Sequence, residues 1–187
     1  MSFQIKEPKS RVLFLNKQFT QDTIGELTKN IIEINESDRE LENYGRIYGY
    51  QYTPSPIKIY IDSFGGYVYQ MLGLVSVVEK SLTPIHTITT GCAMSCGFML
   101  QICGHKRYGY KHSTFMFHQI SSAKWGKIED IKQDMVESER LQSILENITI
   151  DKTQISKNQI IENREKKIDW YMSAEEALKM QVIDEIL

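Results

Sequence analysis

The run Gly91-Cys92-Ala93-Met94-Ser95-Cys96-Gly97 constrains this chain more than any other stretch. A β-prone segment, Pro84 to Thr90, leads straight into it, and the apolar run Phe98 to Cys103 comes after it. Strand, small residues, serine, glycine and then helix-compatible apolar residues is the order that mounts a serine on a sharp turn at a helix N-terminus. There the hydroxyl is exposed, and backbone N–H groups point at negative charge developing on a substrate carbonyl. Small neighbours let an acyl group approach the backbone. The pattern is a relative of G-x-S-x-G, but Ala93 stands two residues before Ser95 where that motif has glycine. A tight strand-to-helix turn with a buried polar residue would read the same way, so the rest of the chain must decide.

The segment before this turn repeats its logic. Ile57-Lys58-Ile59-Tyr60-Ile61-Asp62 alternates and is β-branched, so it reads as a strand. It ends in Ser63-Phe64-Gly65-Gly66, and a helix runs on from Tyr67 to about Lys80, with Val68, Met71, Leu72, Val75 and Val78 on one face. Strand 57–62, helix 67–80 and strand 84–90 make one βαβ unit. Both glycine-bearing turns then fall at the carboxyl ends of neighbouring parallel strands, where open α/β sheets bind ligands. The paired glycines also suit a plain turn; in the functional reading the Gly66 N–H, with that of Cys96, points at an oxyanion near Ser95.

A serine nucleophile needs a base. His118 closes the apolar strand Ser113 to Gln119 and precedes the polar segment Ser121 to Gly126. His86 lies early in its strand, His105 comes after Gly104 beyond the helix, and His112 lies in a basic loop. A third member, a carboxylate, is open at this level, since Glu162, Glu165 and Asp169 share one polar stretch.

The remaining elements are conventional. Arg11 to Asn16 is a short strand, preceded by an arm over residues 1–10. Thr20-Gln21-Asp22-Thr23 opens a helix carrying Ile24, Leu27, Ile31, Ile32 and Ile34. Asn35 to Pro56, polar and rich in tyrosine, reads as a long surface connection. Lys106 to Tyr108 is a strand, Ile128 to Asn147 a long helix with charges of both signs, and Thr153 to Lys166 a second helix. Ser173-Ala174-Glu175-Glu176 is a capping box for a last helix ending near Met180, and Val182 to Leu187 closes the chain as a strand.

Composition removes several classes. With 187 residues, 41% of them hydrophobic and 25% charged, the chain fits one soluble domain with a sizeable core. A net charge of −2 speaks against a nucleic-acid surface. No apolar run approaches the roughly 20 residues that span a bilayer, and the N-terminus has no apolar leader. Cys92, Cys96 and Cys103 lack C-x-x-C spacing and sit in apolar surroundings, so buried thiols in a reducing, cytoplasmic setting are expected rather than a metal site.

The order Gly-Gly, Ser, His, Asp is also that of the ClpP family, the serine peptidase subunit of Clp proteases. Ile61 to Gly66 resembles its I-N-S-P-G-G, Gly91 to Gly97 its G-x-A-A-S-M-G, and Phe117-His118-Gln119 its I-H-Q. Asp169-Trp170-Tyr171-Met172-Ser173-Ala174-Glu175-Glu176-Ala177 resembles D-R-F-L-S-A-x-E-A, which begins with the family's triad aspartate. The resemblance implies an α/β fold of the ClpP/crotonase type over residues 11–187, with repeated ββα units and a protruding handle at about 120–165. It implies a catalytic set of Ser95, His118 and Asp169, with Gly66 and Cys96 as oxyanion donors. It also implies heptameric rings stacked as a tetradecamer, unfolded polypeptide as substrate, and a Clp-type AAA+ unfoldase that would be the user of ATP. No cofactor, metal, nucleic acid or membrane is implied. Lys58 replaces a frequent aromatic of the unfoldase-loop pocket, and Lys167-Ile168 replaces an acidic-Arg pair that bridges rings, as in a divergent or phage-type member. A non-catalytic ring subunit and a crotonase-like acyl-CoA enzyme are the alternatives.

Overall fold

A computed structural model describes residues 10–123 and 125–187. The arm expected over residues 1–10 therefore lies outside the described residues but for Ser10. Strand β1 (Val12–Leu15) leads into helix α1 (Gln21–Tyr48), and β2 (Ile57–Ser63), α2 (Val68–Lys80), β3 (Ile85–Met94) and α3 (Cys96–Cys103) come next. Then come β4 (Lys106–Gly109), β5 (Thr114–Phe117), the long α4 (Ile128–Lys152), α5 (Lys157–Lys166), β6 (Trp170–Met172), α6 (Ala174–Lys179) and β7 (Glu185–Ile186). Strands β1, β2, β3, β4 and β7 lie side by side in that order, all parallel. The mixed α/β arrangement is that of a ClpP-type fold.

Strand β3 is the hub. On one edge it pairs with β2 along its length, Ile57 against Ile85 and Ser63 against Ala93. On the other edge it forks. Its first half, His86 to Thr89, pairs with β4, while Cys92 to Met94 pair in parallel with β5. Antiparallel β6 then extends β5. The strand expected to stop at Thr90 thus runs on to Met94, because β5 supplies a second partner for those residues.

Side chains alternate across β2, with Ile57, Ile59, Ile61 and Ser63 buried. Those isoleucines meet Leu13, Leu15 and Ile85 from the sheet, Ile24, Leu27 and Ile31 from α1, and Met71, Leu74 and Val78 from α2. On the other face Val12 and Phe14 stay exposed, and Phe14 stacks on Tyr60 with ring centroids 5.5 Å apart. Helix α3 is buried on every side, from Cys96 to Cys103. Helix α4 shows the reverse: its first buried residue is Leu141, and Ile128, Met135 and Val136 stand in solvent.

One expectation fails. Residues 35–48 are not a surface connection but the second half of α1, which ends at Gly49 in the left-handed conformation, with φ 77°. The helical period is hidden there because the buried side is polar. Asn35 caps the turn after α2, accepting from Leu82 N–H at 2.9 Å and Thr83 N–H at 3.2 Å. Asp38, only 5% exposed, accepts from both ends of the Arg11 guanidinium and from the hydroxyls of Tyr52 and Thr83. Smaller shifts occur elsewhere. Helix α4 continues past Asn147 to Lys152, and α5 starts at Lys157 behind a Ser156–Gln159 capping box. The closing strand shrinks to Glu185–Ile186.

The Asp38 clasp ties the start of β1, α1, the 49–56 loop and the α2–β3 turn together. Burial pushes its carboxyl up, but the bonds from Arg11, Thr83 and Tyr52 outweigh this and hold it below the usual carboxylate range. The folded pKa is depressed, so the stabilisation is complete above the unfolded value near ~4 and is lost as pH falls through the folded value. We expect Asp38→Asn to cost about 2–4 kcal/mol at neutral pH, since Arg11 loses its partner. Denaturant titrations at neutral and descending acidic pH check this, with the variant losing part of the acid dependence.

Candidate active site

Ser95 stands between β3 and α3 with φ 54° and ψ −119°, a positive φ that a non-glycine residue rarely holds. Three contacts enforce it. Its N–H donates to Met116 O at 2.9 Å, its carbonyl accepts from Met99 N–H at 3.2 Å to start the helix, and the buried α3 anchors the chain beyond it. The hydroxyl is left at the carboxyl edge of the sheet. Met116 takes the Ser95 N–H, and Cys96 is the first residue of α3 beyond it.

The Gly65-Gly66 turn lies directly alongside. Phe19 N–H donates to Gly65 O and Tyr67 N–H donates to Phe19 O, both at 2.9 Å, which makes an isolated parallel bridge between Phe19 and Gly66. Successive peptide groups of an extended segment point to opposite sides. Gly66 therefore directs its own N–H and C=O away from Phe19. Its C=O receives the Cys96 thiol, Sγ to O 3.2 Å. Both glycines are required by space. A Cβ on Gly65, at φ 104°, would stand 2.7 Å from Ser95 Cβ, and one on Gly66 would stand 2.6 Å from Phe19 O. Phe19, fully buried, was not singled out from sequence; a lone phenylalanine between polar residues carries no pattern that would mark it.

His118 comes directly after β5. Its Nε2 lies 2.9 Å from Ser95 Oγ. The β5–β6 pairing sets Phe117 opposite Trp170, so the antiparallel register brings the next residue, His118, to the preceding one, Asp169. Asp169 Oδ1 is 3.7 Å from His118 Nδ1, longer than a hydrogen bond, and its side chain is 56% exposed. Asp169 is carried by the turn that ends α5, where Lys167 adopts φ 53°.

The rivals are elsewhere. His86 packs against Tyr108 on the open sheet face, and burial together with Lys106, Lys58 and His105 lowers its pKa. His105 Nδ1 accepts from Ile85 N–H at 2.9 Å, and His112 is exposed in the turn before β5. Glu162 pairs with Lys166 one helical turn on, and Glu165 faces solvent.

Ser95 and His118 border a cavity of about 260 Å³ whose walls include Val68, Met99, Met116, Ile120 and Leu145. The three cysteines are buried free thiols. Burial pushes Cys96 up to about 11 and Cys103 to about 12. Cys92 reaches about 11 through burial and the adjacent Asp62. Among the described residues no group of three or more His, Cys, Asp or Glu side chains could hold a metal ion, and no helix is long and apolar enough to cross a membrane.

A family model described as Clp protease matches residues 49–187. The chain belongs to the Clp protease family. Its relatives include "ATP-dependent Clp protease proteolytic subunit 1" of Prochlorococcus marinus subsp. pastoris, 29% identical over 181 residues, covering 96% of this chain and 84% of that one. The "ATP-dependent Clp protease proteolytic subunit" of Deinococcus radiodurans is 32% identical over 133 residues, 70% of this chain and 64% of that one. The protein of the same name from Bacteroides fragilis is 28% identical over 179 residues, 95% and 79% of the two chains. This Clp protease chain is thus a ClpP-like serine peptidase, and its family match begins at the glycine that ends α1.

Gly65→Ala tests the close approach of the two turns. With no room for a Cβ and a φ that alanine resists, the turn must move off Ser95, and peptidase activity should fall by about 100-fold or more. The helical and strand content, read by circular dichroism, should persist.

Proposed function

We propose that this chain is a serine endopeptidase in which Ser95, His118 and Asp169 act together on unfolded polypeptide. The observation that carries the reading is the 2.9 Å contact between Ser95 Oγ and His118 Nε2 at the carboxyl edge of a parallel sheet. Ser95 Oγ attacks the scissile carbonyl while His118 Nε2 takes its proton. His118 then gives that proton to the leaving amine, and water reverses the sequence to release the acyl group. Asp169 orients the imidazole and stabilises the imidazolium, once the 3.7 Å separation closes to the ~2.8 Å of a charge-assisted bond. The Gly66 and Cys96 N–H groups receive the oxyanion, and each such donor is worth roughly 3–4 kcal/mol in a transition state. The apolar walls beside Ser95 favour apolar side chains next to the scissile bond. Acyl transfer of this kind draws on these side chains and water alone.

Assembly belongs to the same reading. The open sheet face with Phe14 and Tyr60, and the bare first half of α4 with Ile128, Met135 and Val136, are apolar surfaces that a ring of copies would cover. We infer heptameric rings stacked in pairs, with the protruding α4–α5 region as the handle and the sites enclosed in a chamber. The relatives' names point to ATP-dependent partners, and ATP would be consumed by a Clp-type unfoldase that feeds the chamber. Buried free thiols suit the reducing cytoplasm.

Labelling with a fluorophosphonate, located by peptide mass spectrometry, tests the nucleophile. Ser95 should be labelled, and Ser95→Ala should lose both label and peptide hydrolysis. His118→Ala should lower kcat by about 10⁴-fold or more, and Asp169→Ala by about 10²–10⁴-fold. An assembled, folded particle that takes no label at Ser95 would instead be a non-catalytic ring subunit.

A further inference from the structure

The backbone N–H of Cys96 is one oxyanion donor, and its side chain makes a second contact that the sequence does not reveal. The thiol, 2% exposed, lies 3.2 Å from the Gly66 carbonyl oxygen. The Gly65–Tyr67 segment is held from the far side by Phe19, through Gly65 O and Tyr67 N–H, and at its ends by Ser63 Oγ, which accepts from Gly65 N–H at 3.2 Å, and by Met71 N–H, which donates to Tyr67 O. Two consecutive glycines are the softest hinge a chain can have. A peptide plane pinned at one edge by Phe19 can still roll about that edge. The thiol reaches the Gly66–Tyr67 peptide, whose N–H is the one bonded to Phe19 O, from its carbonyl edge and ties it to the first residue of α3, the helix that starts after Ser95.

We propose that the Cys96 thiol is a positioning residue. It donates to Gly66 O and thereby fixes the Gly66–Tyr67 peptide, and with it the Gly66 torsions that turn the N–H of the preceding peptide toward the oxyanion. The proposal rests on the serine-peptidase reading above and adds a residue to it. The thiol does this without touching substrate. The bridge to Phe19 takes Gly65 O and Tyr67 N–H and leaves the Gly66 N–H and C=O on the opposite side, so holding the Gly66 carbonyl toward α3 also holds the Gly66 N–H on the Ser95 side. The donor has to be protonated to act, and burial keeps this thiol so, at about 11. One residue then serves both halves of the oxyanion site: its N–H is one donor, and its side chain sets the direction of the other.

The test compares Cys96→Ala, Cys96→Val and Cys96→Ser in the assembled protein with a short chromogenic peptide and a peptidyl boronate. The boronate's tetrahedral adduct on Ser95 places an oxygen where the oxyanion forms. Valine fills the thiol's space without a donor, and serine restores a donor. Cys96→Ala and Cys96→Val should each lower kcat by about 10-fold with KM within about 2-fold, and boronate affinity should fall in parallel with kcat. Cys96→Ser should recover to within about 3-fold of the parent. Full activity in Cys96→Val would overturn the proposal and leave the thiol a packing group. An S–H stretch at the frequency of a free thiol would overturn it without reliance on catalysis; the Cys96 band is assigned as the one missing from Cys96→Ser. A parent protein that fluorophosphonate labels elsewhere than Ser95 would instead sink the nucleophile assignment on which the proposal rests. The two failures are therefore distinguishable.

Discussion

The whole site hangs on the forked pairing of β3. Its edge toward β2 sets the height of the Gly65-Gly66 turn, and its edge toward β5 sets the position of His118. Ser95 is the residue at which the strand stops. Three groups from three separate stretches of chain thus reach one point because each leaves the sheet at a fixed register. A one-residue slip in either ladder would turn every side chain over to the other face. On β2 the hydrophobic pattern forbids that slip, because Ile57, Ile59 and Ile61 would leave the core.

Backbone strain is concentrated where that register ends. Ser95 holds an unfavourable φ, at a cost of order 1–3 kcal/mol. Behind it, Phe98, Met99, Leu100 and Ile102 are buried almost completely, each side chain contributing about 1.5–3 kcal/mol by burial. The strained residue is thus offset by the helix it begins. The same helix supplies the N-terminal N–H groups, so anchoring and electrostatics come from one element. The Asp38 clasp plays the corresponding part on the other side. It fastens the residue before β1 and the turn after α2 to α1, and Phe19, between β1 and α1, is what braces Gly66.

The legible parts of the sequence are those where side-chain chemistry and backbone geometry coincide. Small residues around Ser95 announce a turn that nothing larger fits, and paired glycines announce the turn beside it. The Ser173–Glu176 capping box stands in the structure at α6 as the spacing required. The second half of α1 was illegible because its buried residues are Asp38 and Gly45, with Asn35 half-buried beside them, and none of these is apolar enough to mark a helical period. Phe19 was illegible because its role at the site is a main-chain bridge, which leaves no mark in the side-chain pattern. Composition and spacing could not choose Asp169 over Glu162 or Glu165; only the motif resemblance did, because the β5–β6 register that brings Asp169 to His118 is a long-range pairing that local residues do not encode.

The parts of the site are not held with equal firmness, and the reason is structural. Ser95 and Gly66 are fixed by buried main-chain bonds between strands and helices, and the Ser95–His118 contact is already at bonding distance. Asp169 rides on an exposed turn between α5 and a three-residue strand, and its carboxylate stops short of His118. That turn follows α5, and the neighbouring α4 has no buried side chain before Leu141. In the proposed mechanism the nucleophile and the oxyanion donors are therefore properties of the core. The orientation of the base would depend on an exposed turn, where packing within one chain is thin and contacts from outside it would have leverage.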